Sequence, residues 1–194
     1  MKTVYILFFS AFFSIVLYNI IALQEDYPTK MKRIRKEKDE FFKGDDKSPM
    51  PDKNNFFGLK YFDANEKYKI KATIEYLEKK ENFKVKTTKG ENKIYQKIGY
   101  AVFNWDNKTQ RILLLKVPNL PQLFIAFTDL TSNKTTYGGG RYIDINYQNN
   151  QKELELDFNM AYNPYCVYNE KYVCPIPPKE NKLTIAIEAG EKLY

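Results

Sequence analysis

The sequence predicts a mainly β protein, an antiparallel β barrel or sandwich preceded by one amphipathic N-terminal helix. Two observations carry that expectation. Apolar residues recur at helical spacing between Gln24 and Phe42, and from Tyr61 onward they recur at every second position. Turn residues then cut the rest of the chain into short runs, the pattern of an antiparallel sheet rather than of strands joined by crossover helices. A chain of 194 residues suits one such domain once its N-terminal segment is set aside.

That segment comes first. Val4 to Ala22 is apolar apart from Tyr5, Ser10, Ser14, Tyr18 and Asn19, and it follows Lys2. It has the form of a signal peptide, although Ile20 is bulky for a small-x-small cleavage site ending at Ala22. The stretch approaches the ~20 residues that span a bilayer, so an uncleaved N-terminal membrane anchor is the alternative. Lys30, Lys32, Arg33, Arg35 and Lys36 follow closely and sit awkwardly with both. Residues 1–23 are therefore expected to direct export, to the periplasm or the outer surface of the membrane. No cysteine lies near the end of the apolar run, which argues against lipoprotein processing.

Residues 24–60 read as helix and connector. Tyr27, Met31, Ile34 and Phe41 share one helical face, opposite Lys, Arg and Glu, in a helix that starts after Pro28 and packs on the main domain. Asp45, Asp46, Ser48, Pro49, Pro51 and Asp52 make a turn-rich connector. Residues 61–194 form the β domain. Strands are expected at Tyr68–Tyr76, around Phe83 and Val85, around Ile94, and at Tyr100–Trp105, closed by the turn Asp106-Asn107-Lys108. Ile112–Leu115 and Leu123–Phe127 are continuous apolar runs separated by the Pro118 and Pro121 turn. Tyr142–Tyr147, Leu154–Phe158 and Leu183–Ile187 complete the set.

Composition narrows the chemistry. The formal charge is +7, but only four of the 31 basic residues are arginine, and the lysines are spread along the chain. Nucleic-acid readers use clustered Arg forks, so no nucleic-acid partner is expected. There is no histidine. Ser-His-Asp and Cys-His nucleophile systems and imidazole metal sites are thereby excluded, leaving Asp, Glu, Tyr, Lys and Cys for any proton transfer.

Three groups of residues could form a site. In Phe127–Ile145, three consecutive glycines allow close backbone approach, and exposed amides beside Arg141 would suit an anion. Tyr137, Gly139, Gly140 and Arg141 are the ligand-binding candidates there, with an internal pair between Arg141 and Asp129 or Asp144 as the structural alternative. Next, Cys166 and Cys174 are the only cysteines, and they lie in a long loop with no regular period. A disulfide is the leading reading, ahead of a redox pair or a soft metal site. Last come the carboxylates and amides. Asp157 and Glu180 stand at edges of expected strands, where they could act as a catalytic acid–base pair. Asn159, Asn163, Tyr168 and Asn181 are further ligand candidates, and Tyr162, Tyr165 and Tyr172 offer rings and hydroxyls. No motif specifies a cofactor, and no metal site is assigned.

The string DFNMAYNPYCVYNEKYVCPIPPKENKLTIAIEAGEK, with FTDLTSNKTTYGGGRYIDI before it, resembles the prokaryotic family catalogued as domain of unknown function 1684. Phe41, Ser48-Pro49, and Phe57-Gly58-Leu59 before Tyr61-Phe62 fit it too. The resemblance covers roughly Lys30 to the C-terminus. It implies a prokaryotic, mostly β, single-domain protein, and it assigns no role to any residue. The residues themselves favour an exported β-rich protein binding a small anionic or polar ligand. A His-independent hydrolase using paired carboxylates, with or without a metal, and a structural cell-envelope component are the alternatives.

Overall fold

The computed structural model describes residues 25–118 and 120–194. The segment read as a signal peptide or anchor lies outside the described residues. Two compact units divide between Lys36 and Glu37. In the first, Asp26 caps the helix α1 (Tyr27–Gly44): its carboxylate accepts from Thr29 N at 2.8 Å. The helix thus starts one residue before Pro28, because the cap lies upstream and Pro28 then occupies the first turn, where no amide donor is missed. Arg33 pairs with Glu25 at 3.0 Å in the same unit.

The second unit is a six-stranded, wholly antiparallel, nearly closed barrel. Its strands are β1 (Lys69–Lys86), β2 (Asn92–Trp105), β3 (Lys108–Lys116), β4 (Gln122–Phe127), β5 (Arg141–Asn146) and β6 (Glu153–Asp157). They lie in the order β5-β4-β3-β2-β1-β6. The two edge strands approach closure just past β6, where Tyr142 and Tyr162 exchange backbone hydrogen bonds of 2.8 and 2.9 Å. This removes part of the exposed edge that an open sheet would leave.

Several expected strands merge. The runs at Tyr68–Tyr76 and Phe83–Val85 belong to the single strand β1, interrupted by a register shift between Tyr76 and Glu81. Those at Ile94 and Tyr100–Trp105 both lie in β2. A β-bulge breaks sequence alternation without ending the strand, so one strand reads as two. Gly99 faces this irregularity, and a Cβ there would lie 2.2 Å from the Glu75 carbonyl oxygen. The β2–β3 turn is the expected one: Asp106 and Asn107 take φ of 45° and 60°, as a two-residue hairpin with the twist of its strands requires.

The expected strand at Leu183–Ile187 is not one. Leu183, Ile185 and Ile187 are buried alternately, as the period of two implied, but the segment joins no ladder. It runs alongside 128–130 instead. Thr128 N donates to Asn181 O at 3.0 Å, Leu183 N to Thr128 O at 2.8 Å, and Leu130 N to Ile185 O at 3.0 Å. Alternation reports burial of one face, and that can be met by a strap across a barrel end as well as by a strand.

β3 and β4 are apolar on both faces, and both faces are covered. Ile112, Leu114, Ile125 and Phe127 point into the barrel with Ile143, Leu156 and Phe158. Leu113, Leu115, Phe124 and Ala126 point outward and form a second apolar cluster with Val85, Tyr95 and Tyr142. A third joins Phe42 of α1 to Met50, Phe56, Leu59 and Tyr168. Continuous apolar strands have this meaning in sheets buried on both sides.

β3 and β4 pair only at Leu115–Phe124 and Lys116–Leu123. Beyond that point Asn181 supplies the missing bonds. Its Oδ1 accepts from Leu113 N at 2.6 Å, and its Nδ2 donates to Leu113 O at 3.2 Å and Ala126 O at 2.9 Å. The side chain is fully buried. Removing it strands a backbone donor and two acceptors in an apolar layer. Asn181→Ala is therefore expected to lower the unfolding free energy by about 2–4 kcal/mol, read from urea denaturation. A loss within experimental error would show that the strands can close on each other without it.

Candidate functional site

The residues around the glycine loop form a structural centre. Arg141 is 1% exposed. One guanidinium nitrogen donates to Asp129 Oδ2 at 2.9 Å and Ile187 O at 2.8 Å; the other donates to Glu191 O at 3.2 Å and to Ala189 O. Burial pulls the guanidinium below its usual pKa, and the Asp129 carboxylate opposes that. Arg141 is thus not the anion anchor expected from its position; its fork is spent on the C-terminal segment. The glycines serve packing. A Cβ on Gly139 would meet the Tyr137 ring at 2.4 Å, and one on Gly140, at φ +90°, would meet Phe127 O at 2.5 Å. Tyr137 is half-buried, and its hydroxyl pKa is raised by burial and then by the nearby cysteines.

Glu191 extends this centre. Its Oε2 accepts from Asn163 N at 2.7 Å and Tyr168 O–H at 2.9 Å, and its Oε1 pairs with Lys38. Asn163 Nδ2 also donates to Lys192 O at 2.8 Å. Asn159 clasps the loop before β1, accepting from Asn65 N at 3.0 Å and donating to Asn65 O at 2.9 Å. Asp157 Oδ1 accepts from Asn159 N at 3.0 Å and closes the turn after β6. Asn159, Asn163, Tyr168 and Asn181, expected to contact a ligand, are engaged within the protein: Asn159 and Asn163 hold loop backbone, Asn181 holds β3 and β4, and Tyr168 holds the Glu191 carboxylate. In each case a buried amide or hydroxyl satisfies polar groups that no ladder reaches.

The expected acid–base pair does not form. Asp157 stands opposite Lys69 in the β1–β6 register, at the start of β1, whereas Glu180 reaches Lys97 at 3.3 Å, opposite Glu81 far along the same strand. Two carboxylates so placed cannot flank one bond.

A cleft of about 500 Å³ opens on the outer face of the barrel. Its floor is the outward cluster of Tyr95, Phe124 and Tyr142; the loop carrying the cysteines forms one wall with Tyr165, Tyr172, Val173, Cys174 and Pro175. Register explains the floor. Phe124 on β4 is the partner of Asp144 on β5, and Tyr142 lies two residues before Asp144 on the same face. Phe124 and Tyr142 rings meet edge-on at 4.9 Å, and Tyr165 and Tyr172 at 5.3 Å. Tyr142 donates to Pro175 O, which seats the loop on the sheet.

Asp144 brings the carboxylate. Tyr162 O–H donates to its Oδ2 at 2.6 Å. The aromatic surroundings strip water from the carboxyl and raise its pKa; the Tyr162 hydrogen bond and the Lys38 charge work the other way. Tyr95, buried beside the same charge, is pushed up to about 12. Lys38 lies 4.8 Å above the Tyr162 ring, and Lys93 Nζ donates to Val173 O at 3.2 Å. The cleft is therefore aromatic, nearly balanced in charge and rich in hydrogen-bonding groups.

Tyr162, Tyr165 and Tyr172, singled out from the sequence for their rings, and Cys174, expected in a disulfide, line the cleft. Asp144, Tyr142, Tyr95, Phe124, Lys38 and Lys93 were not legible as site residues, although the outward alternation Tyr142-Asp144-Asn146 was a usable signal. Both cysteines are free thiols, with Cys166 N–H donating to Cys174 Sγ at 3.1 Å. Among the described residues, no group of three or more Cys, Asp or Glu could hold a metal.

Fold and cleft together define a small barrel protein with a side pocket built by its C-terminal segment. Residues 54–192 match the family described as protein of unknown function DUF1684, and the chain belongs to it. The solution structure of an uncharacterised protein from gene locus rrnAC0354 of Haloarcula marismortui is similar, at 32% identity and a TM-score of 0.68. That likeness covers 87% of this chain and 95% of the other. No curated protein matches.

Two measurements check the electrostatics. Arg141→Lys keeps the charge but loses the fork, and it should lower stability by about 3 kcal/mol; an unchanged melting temperature would show the fork to be dispensable. For Asp144 the folded state holds the proton more tightly than the unfolded chain does, so stability falls as pH rises from 3.8 through the raised value. Asp144→Asn should flatten that slope, leaving the component from Asp39, whose carboxyl is likewise raised by burial. An identical pH profile in the variant would contradict the assignment.

Proposed function

We propose that the protein binds a small, polar, ring-bearing ligand in the tyrosine-lined cleft. The observation that carries this reading is Asp144, a carboxylate set among aromatic rings in an open cavity and hydrogen-bonded to Tyr162. Clefts lined by rings with a few placed polar groups are the usual form of small-molecule sites. The rings supply faces for an apolar or sugar-like body, and Asp144, Lys93 and the tyrosine hydroxyls supply acceptors and donors.

The expected site at the glycine and cysteine loops moves to the cysteine loop and the outer face of β5. The anionic part of the expectation rested on Arg141, which is committed to Asp129. A polar ligand without net charge fits better, since Lys38 already pairs with Glu191 and faces Asp144. A hydrolase would need converging carboxylates, and among the described residues lining the cleft Asp144 is the only one. Binding is the reading this supports.

The test is saturation-transfer NMR on the full chain with phenyl glucoside, choline and benzoate. Phenyl glucoside is expected to bind, and Asp144→Asn or Tyr162→Phe to weaken it by about tenfold, the cost of one charge-assisted hydrogen bond. Benzoate binding alone would restore the anionic class, choline alone would make the cleft a cation site, and silence from all three would overturn the reading.

A further inference from the structure

We propose that Cys166 and Cys174 form a reversible dithiol–disulfide couple that sets the rigidity of the cleft wall, an inference about regulation that rests on the cleft being a binding site. The two cysteines bracket a segment with two separate anchors. On the Cys166 side, Tyr165, Val167 and Tyr168 pack in the Phe42 cluster. On the Cys174 side, the backbone is fixed to the end of the β1–β2 hairpin: Thr88 N donates to Cys174 O at 2.9 Å, Cys174 N to Thr88 Oγ1 at 3.1 Å, and Ile176 N to Lys86 O at 2.7 Å. Between the anchors the segment has a local turn at Asn169, and from the barrel only lysine side chains reach its backbone: Lys89 Nζ donates to Lys171 O at 3.2 Å and Lys93 Nζ to Val173 O at 3.2 Å. It carries Tyr172 and Val173, which line the cleft.

The two cysteines are already adjacent: Cys166 N–H donates to Cys174 Sγ at 3.1 Å. Forming the bond would close the loop across its two anchors with little backbone movement. It would also tie the Tyr165 and Tyr172 sides of the wall together. Restricting a wall before the ligand arrives lowers the ordering cost of binding.

The chemistry balances with a small-molecule disulfide, RSSR, as oxidant. One cysteine thiolate, its proton released to solvent, attacks RSSR to give a mixed disulfide and RS⁻. The second thiolate attacks the cysteine sulfur of that intermediate, forms the Cys166–Cys174 bond and expels the second RS⁻. The protein loses two hydrogens, and the oxidant becomes two RSH. Burial, then the Cys174 hydrogen bond, pushes the Cys166 thiol up to about 12. Attack by Cys166 is therefore slow at neutral pH, and its rate should rise about tenfold per pH unit well past the ordinary thiol value near 8.5. Export, expected from Val4–Ala22, would place the couple in an oxidising compartment.

The experiment treats the full chain with oxidised glutathione, follows intact mass, and then measures amide exchange across residues 166–174 and phenyl glucoside affinity in both states. The expected result is loss of two hydrogens without a retained glutathione, slower exchange at Tyr172 and Val173, and affinity tightened about fivefold. Cys174→Ser should show none of these changes on the same treatment. A stable glutathione adduct, or exchange unchanged by oxidation, overturns the inference. So does equal affinity in the two states. If the glucoside binds in neither state, the ligand reading fails separately, and the exchange data alone decide whether the couple stiffens the wall.

Discussion

The structure depends on one buried ion pair, Arg141 with Asp129. The C-terminal segment after Asn181 belongs to no strand, and its carbonyls need partners that no ladder provides. Arg141 provides them at Ile187, Ala189 and Glu191, while Asp129 accepts from Ile187 N at 3.3 Å. Lysine could not do this, because a point charge lacks the planar fork that spans three carbonyls and a carboxylate. A buried pair of this kind adds little net stability over an apolar replacement, but it is costly to break. Its role here is to fix where the chain goes.

The cleft follows from that path. Held by Arg141, the segment presents the Glu191 carboxylate to Asn163, Tyr168 and Lys38. Those contacts seat the loop from Asn163 to Pro175, whose outer side walls the cleft. Lys38, committed to Glu191, also sits over Tyr162 and faces Asp144. On its inner side this stretch carries amides that satisfy buried backbone; on its outer side it carries Tyr165 and Tyr172, which wall the cleft over the floor supplied by β2, β4 and β5.

This division explains what could be read from the sequence. The helix, the barrel class and most strand positions were legible because burial imposes periodicity on them. Bulges in β1 and β2 hid two strand continuities, and the strap at Leu183–Ile187 imitated a strand through its alternate burial. The site was half legible. A dense loop with Asn, Asp, Tyr and Cys signalled that side chains do particular work, but type alone does not tell a buried clasp from a ligand contact. Asn159, Asn163, Tyr168 and Asn181 are clasps, whereas Tyr162, Tyr165 and Tyr172 face the cleft. Asp144 was considered only as a partner for Arg141, because its actual surroundings come from β4 and the cysteine loop, brought beside it by register.

The central claim is that the C-terminal segment is an integral part of the folded core, held there by Arg141 and Glu191, rather than a surface tail. Native-state hydrogen exchange of the unmodified protein tests this most directly. The amides of Ile187, Asn163 and Glu191 donate respectively to Asp129, to the Glu191 carboxylate and to Ala161. They should open only with the whole barrel, at the same free energy as the most protected amides of the β2–β3 ladder. Exchange of these three at a much lower free energy, while β3 stays protected, would mean that the segment detaches on its own, and would contradict the account.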